Sequence, residues 1–388
     1  MTLDDICLLI ADCPHSTALD EGKGFPLIRT PNIGKGRFIL DGVHRVSESV
    51  YNNRNKRAIP QDNDIIFARE APAGNAAIIK NGEKYCLGQR TVLIRPNPEK
   101  VYPDYLVYYL LAPAQQYKLL STAHGATVEH VNIASIHEMN VDNLPSYENQ
   151  VKAARALSAY DDLIDNNRRQ IKLLEEAARR LYWEWFVDFR FPGHEQVPIV
   201  DGVPEGWEKK KLTDIADIQY GYAFDGSLFN NEKRGIPILR IRNIPQGTTE
   251  DYTTEDAPEQ YIVHNGDIVV GMDGEFHINS WCGDDAYLVQ RTCRITPKEE
   301  DMKGWLLQAI YEPIKYFEKT VVGSTVAHLG KKHLDSINLL IPPKPLQKPL
   351  CLVFQKRQLL LNQNKYLCAT RDKILPNLIN GGNRNENG

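Results

Sequence analysis

The chain has no CxxC pair, and its seven cysteines are an odd number, so a disulfide framework is a poor fit and a reduced intracellular protein a better one. Long apolar runs are missing too. The longest, Tyr105 to Pro113, is about half of what a membrane helix needs. The opening Met1-Thr2-Leu3-Asp4-Asp5 is acidic and lacks the basic stretch of a secretory signal, so a cytoplasmic location with no membrane partner is expected. Nor is there a basic excess. Lys and Arg number 46 against 50 Asp and Glu, a net charge of −4, and charge alone therefore argues against a nucleic-acid partner.

What is present begins with size. At 388 residues, 42% hydrophobic and 25% charged, the chain reads as an ordinary globular protein too long for one core. Self-similarity then divides it. Gly24-Phe-Pro-Leu-Ile-Arg-Thr-Pro-Asn-Ile-Gly-Lys-Gly36 returns as Gly235-Ile-Pro-Ile-Leu-Arg-Ile-Arg-Asn-Ile-Pro-Gln-Gly247, with six of thirteen positions identical. Asp62-Asn-Asp-Ile-Ile66 parallels Asn265-Gly-Asp-Ile-Val269, and Gln89-Arg-Thr91 parallels Gln290-Arg-Thr292. Gly125-Ala-Thr-Val128 with His130 parallels Gly323-Ser-Thr-Val326 with His328. The order is kept while the offset drifts from 211 to 198, as loop insertions would make it drift. This is a tandem duplication.

Each copy ends in a long helical pattern. Leu157, Ile164, Ile171, Ala178 and Trp185 recur every seven residues, with Tyr160, Asn167, Leu174 and Leu181 three places on. These are the a and d rows of a coiled coil. The second segment repeats them as Phe354, Leu361, Cys368 and Leu375 with Arg357, Asn364, Arg371 and Leu378. Asn167 lands on Asn364, each a polar residue in a core row, which sets register at some cost in stability. The expected organisation is a first globular domain over 1–146, a helix over 147–190, a linker over 191–206, a second domain over 207–345, a helix over 346–379 and a flexible tail over 380–388. The fold class is α+β. The two helices are expected to pair as an antiparallel coiled coil, giving two duplicated domains a pseudo-two-fold relation. A helix of about 35 residues would make a strut roughly 52 Å long.

Signatures of catalysis are missing. There is no GxxxxGKS/T phosphate loop and no GxGxxG after a strand. The Asp/Asn-Pro-Pro-Tyr/Phe motif of amino-methylating DNA methyltransferases is missing too, since Ile341-Pro342-Pro343-Lys344 lacks both flanks. Asp201, Glu208 and Lys210 could be forced into a Mg²⁺ nuclease site, but they straddle the linker and a domain start. His124 and His130, or His328 and His333, lack the Cys or carboxylate pattern that completes a metal site. No metal, no cofactor and no catalytic residue are expected in this chain.

The residues that remain distinctive carry a resemblance. Val203-Pro-Glu-Gly-Trp207, Trp185-Phe-Val-Asp-Phe-Arg-Phe-Pro-Gly193, the Gly266-Asp-Ile-Val269 strand and Gly323-Ser-Thr-Val326 before a proline pair resemble type I restriction specificity subunits. So does Arg371-Asp-Lys-Ile-Leu-Pro376 with Gly381-Gly382, and the likeness covers nearly the whole chain. One departure is that the first copy lacks the Pro-x-Gly-Trp lead-in of the second. The resemblance implies two target-recognition domains, each reading half of a bipartite site in double-stranded DNA. It also implies two methyltransferase subunits, which bind S-adenosylmethionine and methylate adenine, and a motor–nuclease restriction subunit.

Residues shared by both copies, such as Arg29 and Arg240, Asn32 and Asn243, or Gln89 and Gln290, explain recognition of two different half-sites poorly. They read as scaffold or as phosphate contacts. Arg90 and Arg291 have internal carboxylates available, Asp64 and Asp267 or other acids. Base readers should be unshared polar residues on loops, where Arg or Lys reads guanine and Asn or Gln reads adenine. The DNA-binding candidates are Lys35, Arg37, Arg54, Lys56, Arg57 and Arg90 in the first copy. In the second they are Arg242, His277, Asn279, Arg291, Lys331 and Lys332. The rival readings are a stand-alone or antirestriction DNA-binding scaffold with the same two domains, and the nuclease weighed above.

Overall fold

A computed structural model of the chain describes residues 1–121, 130–320 and 327–380. The motifs at 125–128 and 323–326, Gly381-Gly382 and all but the first residue of the expected 380–388 tail lie outside the described residues. The chain divides into two compact units. One comprises Met1–Asp165 with the segment from Lys365 on, and the other Asn166–Asn364. Strands, short helices and two long helices are mixed throughout, an α+β chain. The division falls inside both long helices, Tyr147–Tyr182 and Lys344–Ile379, so each unit contains a piece of each.

In the first unit a five-stranded sheet has the order Cys7–Asp12, Thr91–Pro96, Ile65–Ala68, Ala76–Ile78, Lys35–Gly36. Ile65–Ala68 is buried at every position, which explains its unbroken apolar run in place of an alternating one. A smaller sheet pairs Phe25–Ile28 antiparallel with Arg45–Val46 and parallel with Cys86–Leu87. The helix Pro103–Leu111 covers the main sheet and buries Tyr105, Leu106, Val107, Tyr108 and Tyr109. Leu157 and Leu375, from the two long helices, belong to this same apolar cluster. These row positions therefore pack on the globular core as well as along the helices.

The second unit repeats the scheme. Ala216–Tyr220, Thr292–Pro297, Ile268–Gly271 and Ile278–Ser280 form one sheet in that order. Ile236–Leu239 pairs antiparallel with Tyr252–Thr253 and parallel with Ala286–Leu288, as its counterpart does in the first copy. Some of the shared residues build the same scaffold in each copy. Asn32 Oδ1 accepts from Arg29 N at 3.2 Å, and Asn243 Oδ1 from Arg240 N at 2.9 Å, each fixing the same short 3₁₀ turn. Asp64 and Asp267 immediately precede matching strands and meet Arg95 at 2.7 Å and Arg294 at 3.7 Å. Two motifs far apart in type meet as one aromatic cluster. Trp207 lies 5.8, 5.5 and 5.4 Å from Phe186, Phe189 and Phe191 between ring centroids.

In the second unit the long helices run antiparallel. Asn167 Nδ2 donates to Asn364 Oδ1 at 2.9 Å and to Gln363 Oε1 at 3.1 Å, while Arg357 Nε donates to Glu175 at 2.6 Å. As numbers rise on one helix, they fall on the other. The first helix buries Ile164, Asn167, Ile171 and Ala178 and half-buries Leu174 and Leu181; the second buries Phe354 and half-buries Leu361 and Asn364. In the first unit Asp161 meets Arg371 at 2.5 Å and accepts from Tyr108 Oη at 2.5 Å, with Asp161 almost fully buried. Burial pushes the Asp161 carboxyl up. For Arg371 burial opposes the charge, but the Asp161 carboxylate outweighs it and holds the guanidinium firmly protonated.

Among the described residues no helix is long and apolar enough to cross a membrane, and no group of His, Cys, Asp and Glu is arranged to hold a metal ion. Cys86 and Cys293 sit in the core, where burial pushes their thiols up to about 11 and about 12.

Candidate nucleic-acid interface

The candidate contacts separate into those turned into the fold and those left outward. Arg54 is buried at the end of Glu48–Arg54, donating Nε to Leu87 O at 2.9 Å and Nη1 to Ser16 Oγ at 3.2 Å. It ties a helix to a strand and presents no face to a ligand. Arg37 is mostly buried and pairs with Asp162 at 2.8 Å. Asn279 donates to Ile244 O and accepts from Arg357 Nη2 at 2.9 Å, so both ends of its amide are taken up internally. His277, three-quarters buried, faces Glu275 at 3.6 Å.

Lys35, Lys56, Arg57, Lys331 and Lys332 are exposed. Lys35 lies on the short edge strand Lys35–Gly36, 3.9 Å from Asp372. Arg57 sits just past a helix end and donates weakly to Asp12 O at 3.4 Å. Lys331 and Lys332 open the helix Lys331–Ser336. Arg242 is exposed but gripped by Asp251 through both Nε and Nη2. That grip, with Asn243, overcomes burial and holds the Asp251 carboxyl below its ordinary range.

Arg90 and Arg291 pair with carboxylates other than Asp64 and Asp267, which Arg95 and Arg294 take. Arg90 Nε is 2.9 Å from Glu70, and Arg291 Nη1 is 3.3 Å from Asp273. In each copy a histidine joins the same carboxylate: His130 Nδ1 to Glu70 and His328 Nδ1 to Asp273, both at 2.5 Å. The acid follows a core strand, Ile65–Ala68 or Ile268–Gly271, by two residues. Matching backbone bonds close the arrangement: Arg69 N to Arg90 O at 3.0 Å and Met272 N to Arg291 O at 2.9 Å. Sequence reasoning noticed the repeated arginine and histidine but not the acid, because Glu70 and Asp273 differ in type and lie outside the aligned motif. Equal spacing from the strand was the available signal.

The two like units carry sets of exposed cations that differ between copies. A model of the type I restriction modification DNA specificity domain matches residues 1–176 and again 204–355. The chain belongs to the type I restriction–modification DNA specificity family. Such subunits recognise DNA and are not catalytic, and the same holds for this specificity subunit. It is 26% identical to the type I restriction enzyme MjaIX specificity subunit of Methanocaldococcus jannaschii, over 98% of this chain and 92% of that one. It is 34% identical to the EcoBI specificity subunit of Escherichia coli over 42% of this chain and 34% of that one. Its fold resembles the crystal structure of the type I restriction–modification S subunit from M. genitalium. That likeness has a TM-score of 0.54 at 15% identity, over 97% of this chain and 95% of the other.

Proposed function

We propose that this specificity subunit reads a bipartite, asymmetric site in double-stranded DNA, with residues 1–146 reading one half and residues 207–345 the other. The observation that supports this best is the double match of the specificity domain, at 1–176 and 204–355, on a chain whose two copies share a scaffold and differ in exposed polar residues. A common scaffold with different outward side chains suits two different half-sites. Asn167, buried, and Asn364, half-buried, bond to one another and favour a single helix register.

With no active site of its own, the reader recruits chemistry. Two methyltransferase subunits supply S-adenosylmethionine and flip the target adenine into their own pockets, since a base cannot be methylated within the stack. The motor–nuclease subunit joins for restriction, and the complex works in the cytoplasm. Among the outward residues, Lys56 and Arg57 in the first copy and Lys331 and Lys332 in the second are the DNA contacts this reading favours.

The test is a domain exchange. Replacing residues 207–345 with the equivalent domain of a relative, and mapping methylated adenines made with the methyltransferase, should change one half-site and leave the other as it was. Both halves changing together would refute the two-reader proposal. Methylation by the purified chain alone would refute the division of labour.

A further inference from the structure

The repeated carboxylate–arginine–histidine clusters do more than the scaffold requires. We propose that Arg90 and Arg291 are a matched pair of contacts to the DNA phosphate backbone, one in each reader, held in place by Glu70 with His130 and by Asp273 with His328. This rests on the DNA-reading function proposed above.

Three observations carry it. The first is the match itself. Readers of two different half-sites have in common only what every DNA sequence offers, the phosphodiester backbone, whereas base contacts must differ. A charged surface feature kept in the same place in both copies belongs to the shared component. The second is conformation. Arg90 and Arg291 both adopt φ of 68°, the left-handed region where glycine is at home and a side chain is strained. Glycine would hold this turn without strain, so what is retained in both copies is the side chain. A strained residue kept at a surface marks a use for that residue.

The third observation is the direction of charge. The carboxylates are the covered members, with side chains 16% exposed in Glu70 and 28% in Asp273. The arginines are the outward members, 52% and 56% exposed. In the first copy Arg69 Nη2 donates to His130 Nε2 at 2.8 Å, and because arginine only donates, Nδ1 carries the hydrogen that goes to Glu70. The imidazole thus takes one carboxylate oxygen, Glu70 Oε1, while the guanidinium takes the other, Oε2. A neutral cluster presents a positive face, oriented in advance, and a phosphate oxygen is the ligand suited to a guanidinium held this way.

Glycine replacement tests this without disturbing the turn. Arg90→Gly, Arg291→Gly and the double variant of the full-length chain, alone and with the methyltransferase, would be titrated by fluorescence anisotropy. The probes are a labelled duplex of random sequence and one carrying the cognate site, at several salt concentrations. Each substitution should weaken both duplexes alike, by roughly three- to tenfold. Each should also reduce the slope of log K against log salt by about 0.9, and the double variant by about twice that. The melting temperature should stay near that of wild type, since the strain relieved offsets the loss of a half-exposed ion pair. Wild-type affinity and slope in the double variant would overturn the inference, as would a loss confined to the cognate duplex, which would make these base readers. A melting temperature lowered by several degrees would make them scaffold. If the wild-type complex fails to methylate a two-part site, the function proposed above fails. If it succeeds and the variants bind like wild type, only this inference fails.

Discussion

Removing the Asp161 carboxylate should be the costliest single polar deletion in the first unit. Its Oδ1 meets Arg371 Nη1 and its Oδ2 accepts from Tyr108 Oη, both at 2.5 Å, with side chains 2% and 10% exposed for the ion pair. Asp161→Ala leaves Arg371 buried with Asp372 at 2.9 Å and Lys35 O at 3.4 Å, and deprives Tyr108 of its acceptor. Breaking a buried pair by removing one partner costs about 3–5 kcal/mol. Asp161→Asn keeps an acceptor for Tyr108 but loses the charge and sets an amide NH2 against the Arg371 donor, so roughly 1.5–3 kcal/mol is expected. Replacing both partners, Asp161→Leu with Arg371→Met, should recover much of the Asp161→Ala loss, because the desolvation of both charges vanishes with their attraction, and leave about 1–3 kcal/mol for the Tyr108 hydroxyl without its acceptor. Urea unfolding measures all four proteins. All five tryptophans, Trp183, Trp185, Trp207, Trp281 and Trp305, lie in the second unit, so their fluorescence reports that unit while circular dichroism reports both. A dichroism transition that shifts ahead of fluorescence places the loss in the first unit. If Asp161→Ala costs less than about 1 kcal/mol, or the double variant is as unstable as Asp161→Ala, the pair is not the anchor described here.

Gly88→Ala should destabilise by about 1–3 kcal/mol, since its Cβ would stand 2.3 Å from Ile28 O, and thermal melting would show it. Asn167→Leu should cost roughly 1–3 kcal/mol by removing the buried donor to Asn364 Oδ1 and Gln363 Oε1, and Asn167→Leu with Asn364→Leu should recover most of it in chemical denaturation. Trp207→Ala should cost about 3–5 kcal/mol, read as a lowered denaturation midpoint, because it removes the ring shared by Phe186, Phe189 and Phe191. Asp251 is held below its ordinary range when folded, so its contribution is present above the unfolded value and lost as pH falls through the folded one. Stability followed from neutral pH down into the acid range should therefore fall less steeply in Asp251→Asn than in wild type.

The legible features are those that repeat at a fixed interval. The seven-residue rows announced the long helices because helix geometry ties spacing to face, and Leu157, Ile164, Asn167 and Ile171 are buried on the first of them. The duplication announced two like units because the same turn is built twice, with Asn32 and Asn243 bonding back to Arg29 and Arg240. Which arginine meets which acid was not legible. Asp64 takes Arg95, 31 residues away, Glu70 takes Arg90, and Asp161 takes Arg371, 210 residues away. Nothing in spacing distinguishes these partners, since the choice depends on which strands and helices come together. Arg54 shows the same limit. It falls in a basic run that reads as surface, yet its guanidinium faces inward to Leu87 because it ends a helix packed on that strand.

The net charge of −4 and a DNA partner are compatible once the carboxylates are located. Some of them hold cations from behind: Glu70 and Asp273 in the matched clusters, and Asp251 under Arg242. Such acids lower the total charge without facing the partner, and they reduce the freedom their arginines would lose on binding. A formal charge counts both members of each pair equally. A DNA backbone meets only the exposed one. For a chain organised this way, the sign of the surface is set by which member is buried, and Arg90 over Glu70 shows the positive member outermost.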